Sequence, residues 1–325
     1  MQNDKYKINK VSVALTTYNG ERFLREQLDS LYKQTKLPDE VVVCDDNSSD
    51  DTISILEEYH KKYGLKFYQN SSSLGVNANF FQAISLCNGD YICICDQDDI
   101  WKKNKIETLF NAIEEIKEKD VPFAVSSLRQ DIDAEGKPIA MPQSFPEGIH
   151  WTNTLMNTEQ SQGCTMIINR PLAELSLKFY REKPQSNDVM YDVLISVLAA
   201  IFGKKRNLSI DLMLYRHHNS NVVDKFRKGK KSFWEKVQEM PTYYPFLLDY
   251  RIRELSIIYQ LVEGETLPPD IEIFLKKMND LHKTETIYKG LPIVLSLSQL
   301  SWVRKCKILI LTPIAKTLKI INQKR

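Results

Sequence analysis

The chain has 325 residues, 42% of them hydrophobic and 26% charged, with a formal net charge of +2. These are values of a folded globular protein long enough for two domains. So small a net charge excludes a whole-molecule polyanion binder, and no nucleic-acid partner is expected. The opening stretch, residues 1–10, is polar and no signal peptide is expected there. Val11 to Leu15 reads as a buried strand ending in Thr16-Thr17-Tyr18-Asn19-Gly20, and Glu21 to Gln34 carries Phe23, Leu24, Leu28 and Leu31 at helical spacing. Val41 to Cys44 is a second strand, ending in Asp45-Asp46-Asn47-Ser48-Ser49-Asp50-Asp51-Thr52. Ile53 to Tyr63 is a helix, with Ser49 or Asp50 as its cap. A short strand at Lys66-Phe67-Tyr68 and a helix from Asn79 to Leu86 follow. Tyr91 to Cys95 is a fourth strand, bounded by Asn88-Gly89-Asp90, and it runs straight into Asp96-Gln97-Asp98-Asp99-Ile100-Trp101. The order β-α-β-α-β-α-β predicts a doubly wound, mostly parallel α/β sheet with helices on both faces.

Strand ends are where open α/β sheets bind ligands. Three carboxylates packed there repel one another unless a cation sits among them. Carboxylate oxygens suit Mg²⁺ or Mn²⁺, ions that usually arrive with a substrate's phosphates. An exposed acidic turn is the plain alternative for an isolated Asp-x-Asp. Cys93 and Cys95 alternate with isoleucine and are expected to be small apolar core residues. The six cysteines show no zinc spacing or disulfide framework, so a reduced cytosolic setting is the default.

Residues 12–19, 43–52 and 89–101 resemble the nucleotide-binding half of inverting family 2 glycosyltransferases of the GT-A fold, and Asp96 to Trp101 resembles a bacterial subgroup that contains rhamnosyltransferases. The resemblance resumes at Gly163 to Asn169 and continues through Tyr191-Asp192, Phe202-Gly203-Lys204 and Tyr215 to Asn221. It spans about residues 9–222, which sets a catalytic domain over 1–222, with a nucleotide half at about 9–117 and an acceptor half at about 118–222.

The resemblance implies that Asp98 ligates the metal and Asp96 lies near the donor ribose, while Asp99 orients the sugar, supports the metal shell or caps a helix from Trp101 to Lys117. Thr16 and Tyr18, with Asn19 in the same loop, would close around a pyrimidine, and Asp46 would accept from its N3–H. Asp45 would turn the backbone. Asn77 and Asn79 would touch the nucleotide or cap the helix before Phe80. Inversion needs a general base on the acceptor side. Asp188 and Asp192 both qualify, and spacing back from Phe202-Gly203-Lys204 favours Asp192. Where the family usually has His and Trp around this Asp, the chain has Tyr191 and Val193, which puts the acceptor's identity in doubt. His218 would reach the metal or the diphosphate, Arg216 would offset diphosphate charge, and His217 is expected at the surface. Gly163 would allow close approach of a sugar, or simply start a strand. Residues 129–158, with Pro138, Pro142 and Pro146, form an irregular acceptor-side segment.

Beyond the basic run Lys225 to Lys231, residues 233–261 and 271–281 read as helices broken at Pro268-Pro269, so 223–325 is expected to be a linker and helical extension. From Lys289 onward there are eight basic residues and no acid, interleaved with Leu, Ile, Val and Trp. This predicts an amphipathic element attracted to an anionic membrane surface, or one packed on the catalytic domain. No apolar run is long enough for a transmembrane helix. The expected activity is metal-dependent transfer of a sugar from a nucleotide donor to a glycan or lipid-linked acceptor. dTDP-rhamnose is favoured over a UDP-sugar, and surface polysaccharide assembly at the inner membrane face is the expected setting. A sugar-phosphate nucleotidyltransferase is the rival enzyme, but the loop Thr17 to Gly20 is not the Gly-rich basic loop it would need. A non-catalytic sugar- or lipid-binding relative is the other.

Overall fold

The structure is a computed structural model of the whole chain, describing residues 9–116, 118, 120–139, 148–149, 151–156, 162–218, 250–284 and 292–293. Contacts divide the chain into two compact units, Met1–Asp224 and Lys225–Arg325.

The first unit is built on one mixed sheet. Strands β1 (Val11–Thr17), β2 (Glu40–Asp45), β3 (Lys66–Gln69) and β4 (Tyr91–Cys95) are separated by helices α1 (Leu24–Tyr32), α2 (Thr52–Tyr63) and α3 (Val76–Leu86). They pair in parallel in the order β3-β2-β1-β4, with Leu15 opposite both Val43 and Cys95. Parallel strands covered on both faces are apolar throughout, as the unbroken runs of β1, β2 and β4 require. Strand β5 (Ile100–Trp101) and helix α4 (Lys105–Glu114) come next, then β6 (Phe123–Ile132), β7 (Gly148–Ile149), α5 (Trp151–Met156), β8 (Met166–Asn169), α6 (Arg170–Glu182), α7 (Tyr191–Phe202) and β9 (Lys204–Arg216).

The acceptor half breaks the parallel rule. β8 runs antiparallel between β4 and β6, so the 3₁₀ turn Gly163–Thr165 before it lands at the same edge as the C-terminal ends of β1, β2 and β4. β9 runs parallel to β6, and its far half pairs antiparallel with β5, placing Ile100 opposite Leu214. This pairing returns residues 216–218 to Asp98 and Asp99.

Two elements differ from expectation. The helix expected over 101–117 begins only at Lys105, because Ile100 and Trp101 join the sheet and Trp101 N donates to Ser30 Oγ at 3.0 Å. The cap position there is Asn104, so Asp99 does not cap this helix. Gly163 opens a 3₁₀ turn rather than a strand.

In the second unit, α8 covers 250–261 and α9 spans Pro269–Lys283. Ile271, Phe274, Leu275, Met278 and Leu281 form the buried stripe of α9. Residues 233–249 and 294–325, on which part of the helical extension and most of the basic C-terminus fall, lie outside the described residues.

Candidate active site

Four strand ends and one helix start meet at the C-terminal edge of the parallel strands. The loop after β1 turns through Asn19, whose φ of 47° is positive, as is that of Asn47 in the loop after β2. Asparagine tolerates this conformation because its short amide bonds the local backbone. Here Asn19 Oδ1 accepts from Ser49 N at 2.9 Å, and Asn19 N donates to Ser48 Oγ at 2.9 Å. The loops after β1 and β2 are thereby stitched together. Tyr18 stands at their rim with 54% of its surface exposed. Thr16 is half-buried on the sheet.

Gln97 was not among the expected site residues. Its amide bonds the Tyr18 backbone twice, Oε1 accepting from N at 2.8 Å and Nε2 donating to O at 3.0 Å. A Cβ on Gly20 would lie 2.2 Å from Gln97 Oε1, so a larger residue there would displace the Gln97 amide from the Tyr18 backbone. Nothing in the sequence marks Gln97 except its place between two acids.

The three acids of the β4–β5 loop differ sharply. Asp98 Oδ2 lies 2.7 Å from His218 Nε2, and Phe23 packs against the imidazole at 4.8 Å between ring centroids. Asp99 is fully buried; Oδ1 accepts from Arg216 N at 3.0 Å, while Oδ2 has no partner. Burial, then Asp98 and Asp96, push its carboxyl well above the usual range. Asp96 keeps an opening to solvent, yet burial, Asp98 and Asp192 push it up to about 7. Lys105 is the cation beneath this cluster. It is wholly buried, with Nζ 2.5 Å from Cys164 O and 3.8 Å from the centre of the Trp101 ring. Its sequence signal is a lysine in register with the apolar stripe Leu109, Ala112 and Ile113 of α4.

Asp192 sits in the first turn of α7, half-buried, with Oδ2 accepting from Gly163 N at 3.2 Å. It acts electrostatically on Asp96, so the two face one space. Asp188 is exposed and ends a separate 3₁₀ turn. The start of α7 is held by Asn77, which accepts from Tyr191 N and donates to Val189 O, both at 2.9 Å.

Several expected roles do not fit this geometry. Arg216 is only 3% exposed; Nε donates to Asp98 O and Nη1 to Ala134 O, and Nη2 pairs with Glu26 at 2.5 Å. It braces the acidic loop rather than reaching a diphosphate. Asn79 is buried, bonded to Cys44 O at 2.9 Å and to Asn70 at 3.1 Å, and does not face the site. The Asp46 carboxylate already accepts four bonds, from Asn70, Ser73, Leu74 N and Gly75 N. It therefore anchors the 73–75 segment before α3. Asp45 turns the backbone as expected, accepting from Thr17 and Ser48. Tyr191 packs over Gly163, and its Oη would lie 2.3 Å from an added Cβ. His217 is not a surface residue: its side chain is 15% exposed and faces Asp131.

Residues 12–170 match the family model described as Glycosyl transferase family 2. Among curated relatives, an uncharacterized protein of Mycobacterium tuberculosis is 26% identical over 237 residues, 69% of this chain. The chain spans 64% of that relative's length. A dTDP-rhamnosyl transferase of Shigella flexneri, RfbG, is 29% identical over 227 residues, covering 64% of this chain and 73% of the relative. Staphylococcus aureus TarS 1–349, solved in complex with UDP, superposes with a TM-score of 0.56 at 17% identity, covering 97% of this chain and 92% of that one. At that identity the likeness concerns the fold, which is of the GT-A type.

Proposed function

We propose that this chain, whose residues 12–170 match the glycosyl transferase family 2 model, moves a sugar from a nucleotide donor to a glycan acceptor with inversion at the anomeric carbon. The carrying observation is that Asp96 and Asp98 at the end of β4, His218 after β9 and Asp192 at the start of α7 converge on one edge of the sheet. The acids after β4 serve the leaving group, and Asp192, carried by a different element, serves the nucleophile.

Asp98 and His218 bring a carboxylate oxygen and a ring nitrogen, both donors that a divalent ion accepts, to within 2.7 Å of each other, and they would hold such an ion. Such an ion, Mg²⁺ or Mn²⁺, would neutralise the diphosphate as it departs. Asp96 lies beside the donor ribose, and Asp99 supports the metal shell from its buried position. Tyr18, exposed at the rim, stacks on the base, with Thr16 and Asn19 shaping the same loop. Asp46 shapes that seat through the 73–75 segment, and a base N3–H would share an oxygen already bonded there. Asp192 takes the proton of the acceptor hydroxyl, and Gly163 N holds one of its oxygens in place.

The favoured donor is dTDP-rhamnose. The support is the Asp96 to Trp101 string and the likeness to RfbG; UDP-sugars are the second choice. The acceptor would be a lipid-linked saccharide in surface polysaccharide assembly, with the enzyme on the inner membrane face. The basic, apolar residues 289–325 support that placement, and no helix among the described residues is long and apolar enough to cross a membrane. Incubating the protein with dTDP-rhamnose and a panel of UDP-sugars, with Mn²⁺ or Mg²⁺, tests the reading. Release of dTDP from dTDP-rhamnose alone is expected. Release of UDP only would move the donor to a UDP-sugar.

A further inference from the structure

Lys105 is a buried cation with little to gain from its own element. It opens α4, the end of a helix where the dipole disfavours positive charge, and it is fully buried. Among the described residues its ammonium has one oxygen partner. Nζ donates to Cys164 O at 2.5 Å, with Met213 Sδ at 3.4 Å and the centre of the Trp101 ring at 3.8 Å. Trp101 and Met213 stand opposite one another in the β5–β9 pair, and β5 follows directly on Asp98 and Asp99. Cys164 lies in the 3₁₀ turn Gly163–Thr165, and Gly163 N donates to Asp192 Oδ2 at 3.2 Å. The lysine thus ties the strand behind the acidic loop to the turn that touches Asp192. A methionine would fill the same space without carrying a charge out of water, and apolar replacements of buried ionic groups are often neutral or stabilising. Stability alone gives no reason for the ammonium.

We propose that Lys105 is a positioning residue for the acceptor side: by gripping Cys164 O it fixes the Gly163–Thr165 turn, and through Gly163 N it aims the Asp192 carboxylate. Two backbone groups hold that carboxylate. Val193 N, in its own helix, donates to Oδ1 at 2.8 Å, and Gly163 N donates to Oδ2 from across the site. The first survives any change at the turn, but it leaves the carboxylate free to swing with its side chain. The second sets where the outer oxygen points, and it is only as fixed as the turn that carries it. Lys105 itself touches no substrate. Its charge also reaches Asp96 and Asp99, so an effect on the donor has to be measured beside the effect on Asp192.

Hydrogen exchange of the full chain tests the hold without any substrate. In Lys105→Met, amide exchange over residues 163–165 is expected to speed up about tenfold, the equivalent of one lost hydrogen bond to a charged group, with β1, β2 and β4 unchanged. The kinetic consequence rests on the transfer reading. Hydrolysis of dTDP-rhamnose or the active UDP-sugar, with water as acceptor, should show kcat lowered about 10²-fold, the scale on which misplacing a reacting group acts. Donor KM and the affinity for nucleoside diphosphate with Mn²⁺ should stay at wild-type values. In an Asp192→Asn background the same substitution should cost almost nothing more, because it acts through that carboxylate. Circular dichroism checks folding, and Lys105→Gln replaces Lys105→Met if the latter does not fold. Unchanged exchange over 163–165, a loss confined to nucleotide affinity, or additive losses in the double variant would overturn the proposal. Faster exchange in a protein that turns over no nucleotide-sugar would keep the hold and remove the transfer reading instead.

Discussion

Asp192 and Asp188 are four residues apart, both are candidate bases by residue type, and spacing from Phe202-Gly203-Lys204 favours Asp192. Folding separates them: Asp192 opens α7 against Gly163 and acts on Asp96, whereas Asp188 ends an exposed 3₁₀ turn. Asp192→Asn keeps the shape of the side chain but cannot accept a proton, so transfer should fall by about 10²–10⁴-fold with donor binding kept. Asp188→Asn should leave turnover near the wild-type level. Turnover and donor affinity of the two variants decide the point, and a silent Asp188→Asn beside an active Asp192→Asn would move the base one turn earlier. Residue types at strand ends were readable in the sequence, but their occupation was not. Arg216, Asn79 and Asp46 carry the right chemistry for a nucleotide, yet backbone groups and side chains far away in the chain already use their bonding capacity. Lys105 and Gln97 were missed for the converse reason. Their importance comes from partners at Cys164, 59 residues away, and Tyr18, 79 away.

At the scale of elements, the four parallel strands and their helices were readable from apolar runs and helical spacing, with bounds shifted by a few residues. The antiparallel course of β8 and the joining of Ile100-Trp101 to β9 were not, because pairing partners depend on distant chain. Glu40 shows how such pairing is secured. At the start of β2, its carboxylate accepts from Asn88 N, Ser12 Oγ and Lys66 Nζ, tying β1, β3 and the α3–β4 turn together. Burial alone would raise its pKa, but the Asn88 N–H, the Ser12 hydroxyl and Lys66 outweigh burial and hold it at about 2, below the ordinary 4.5. The folded value lies below the unfolded one, so the unfolded chain binds the proton first on acidification. The stabilisation is therefore complete above about pH 4.5 and lost as pH falls toward 2. Glu40→Gln should lower stability by about 1–2 kcal/mol at neutral pH, after allowance for partial exposure, and flatten the acid limb in that window. Urea unfolding from pH 7 down to 2.5 measures both. Parallel acid limbs in the two proteins would show that Glu40 carries no such linkage.

At the scale of the whole molecule, the chain joins a unit that matches the family 2 model over residues 12–170 to a second unit whose sequence ends in basic and apolar residues. Deleting residues 291–325 should move the protein from membrane to soluble fractions and leave donor hydrolysis largely intact, because each lysine or arginine near an anionic surface contributes about 1 kcal/mol. Vesicle co-sedimentation with and without anionic lipid reads this directly. Equal membrane content with and without the tail would mean that the segment packs on protein instead.

In the proposed reaction Asp98, at the end of β4, would hold the ion that makes a nucleotide-sugar leaving group depart. Calorimetric binding of the nucleoside diphosphate, with Mn²⁺ and with chelator, in the wild type and in Asp98→Ala, tests it most directly. Tight binding is expected only for the wild type with Mn²⁺, and weak, metal-independent binding with no sugar transfer for the variant. Metal-stimulated binding and wild-type turnover in Asp98→Ala would contradict it.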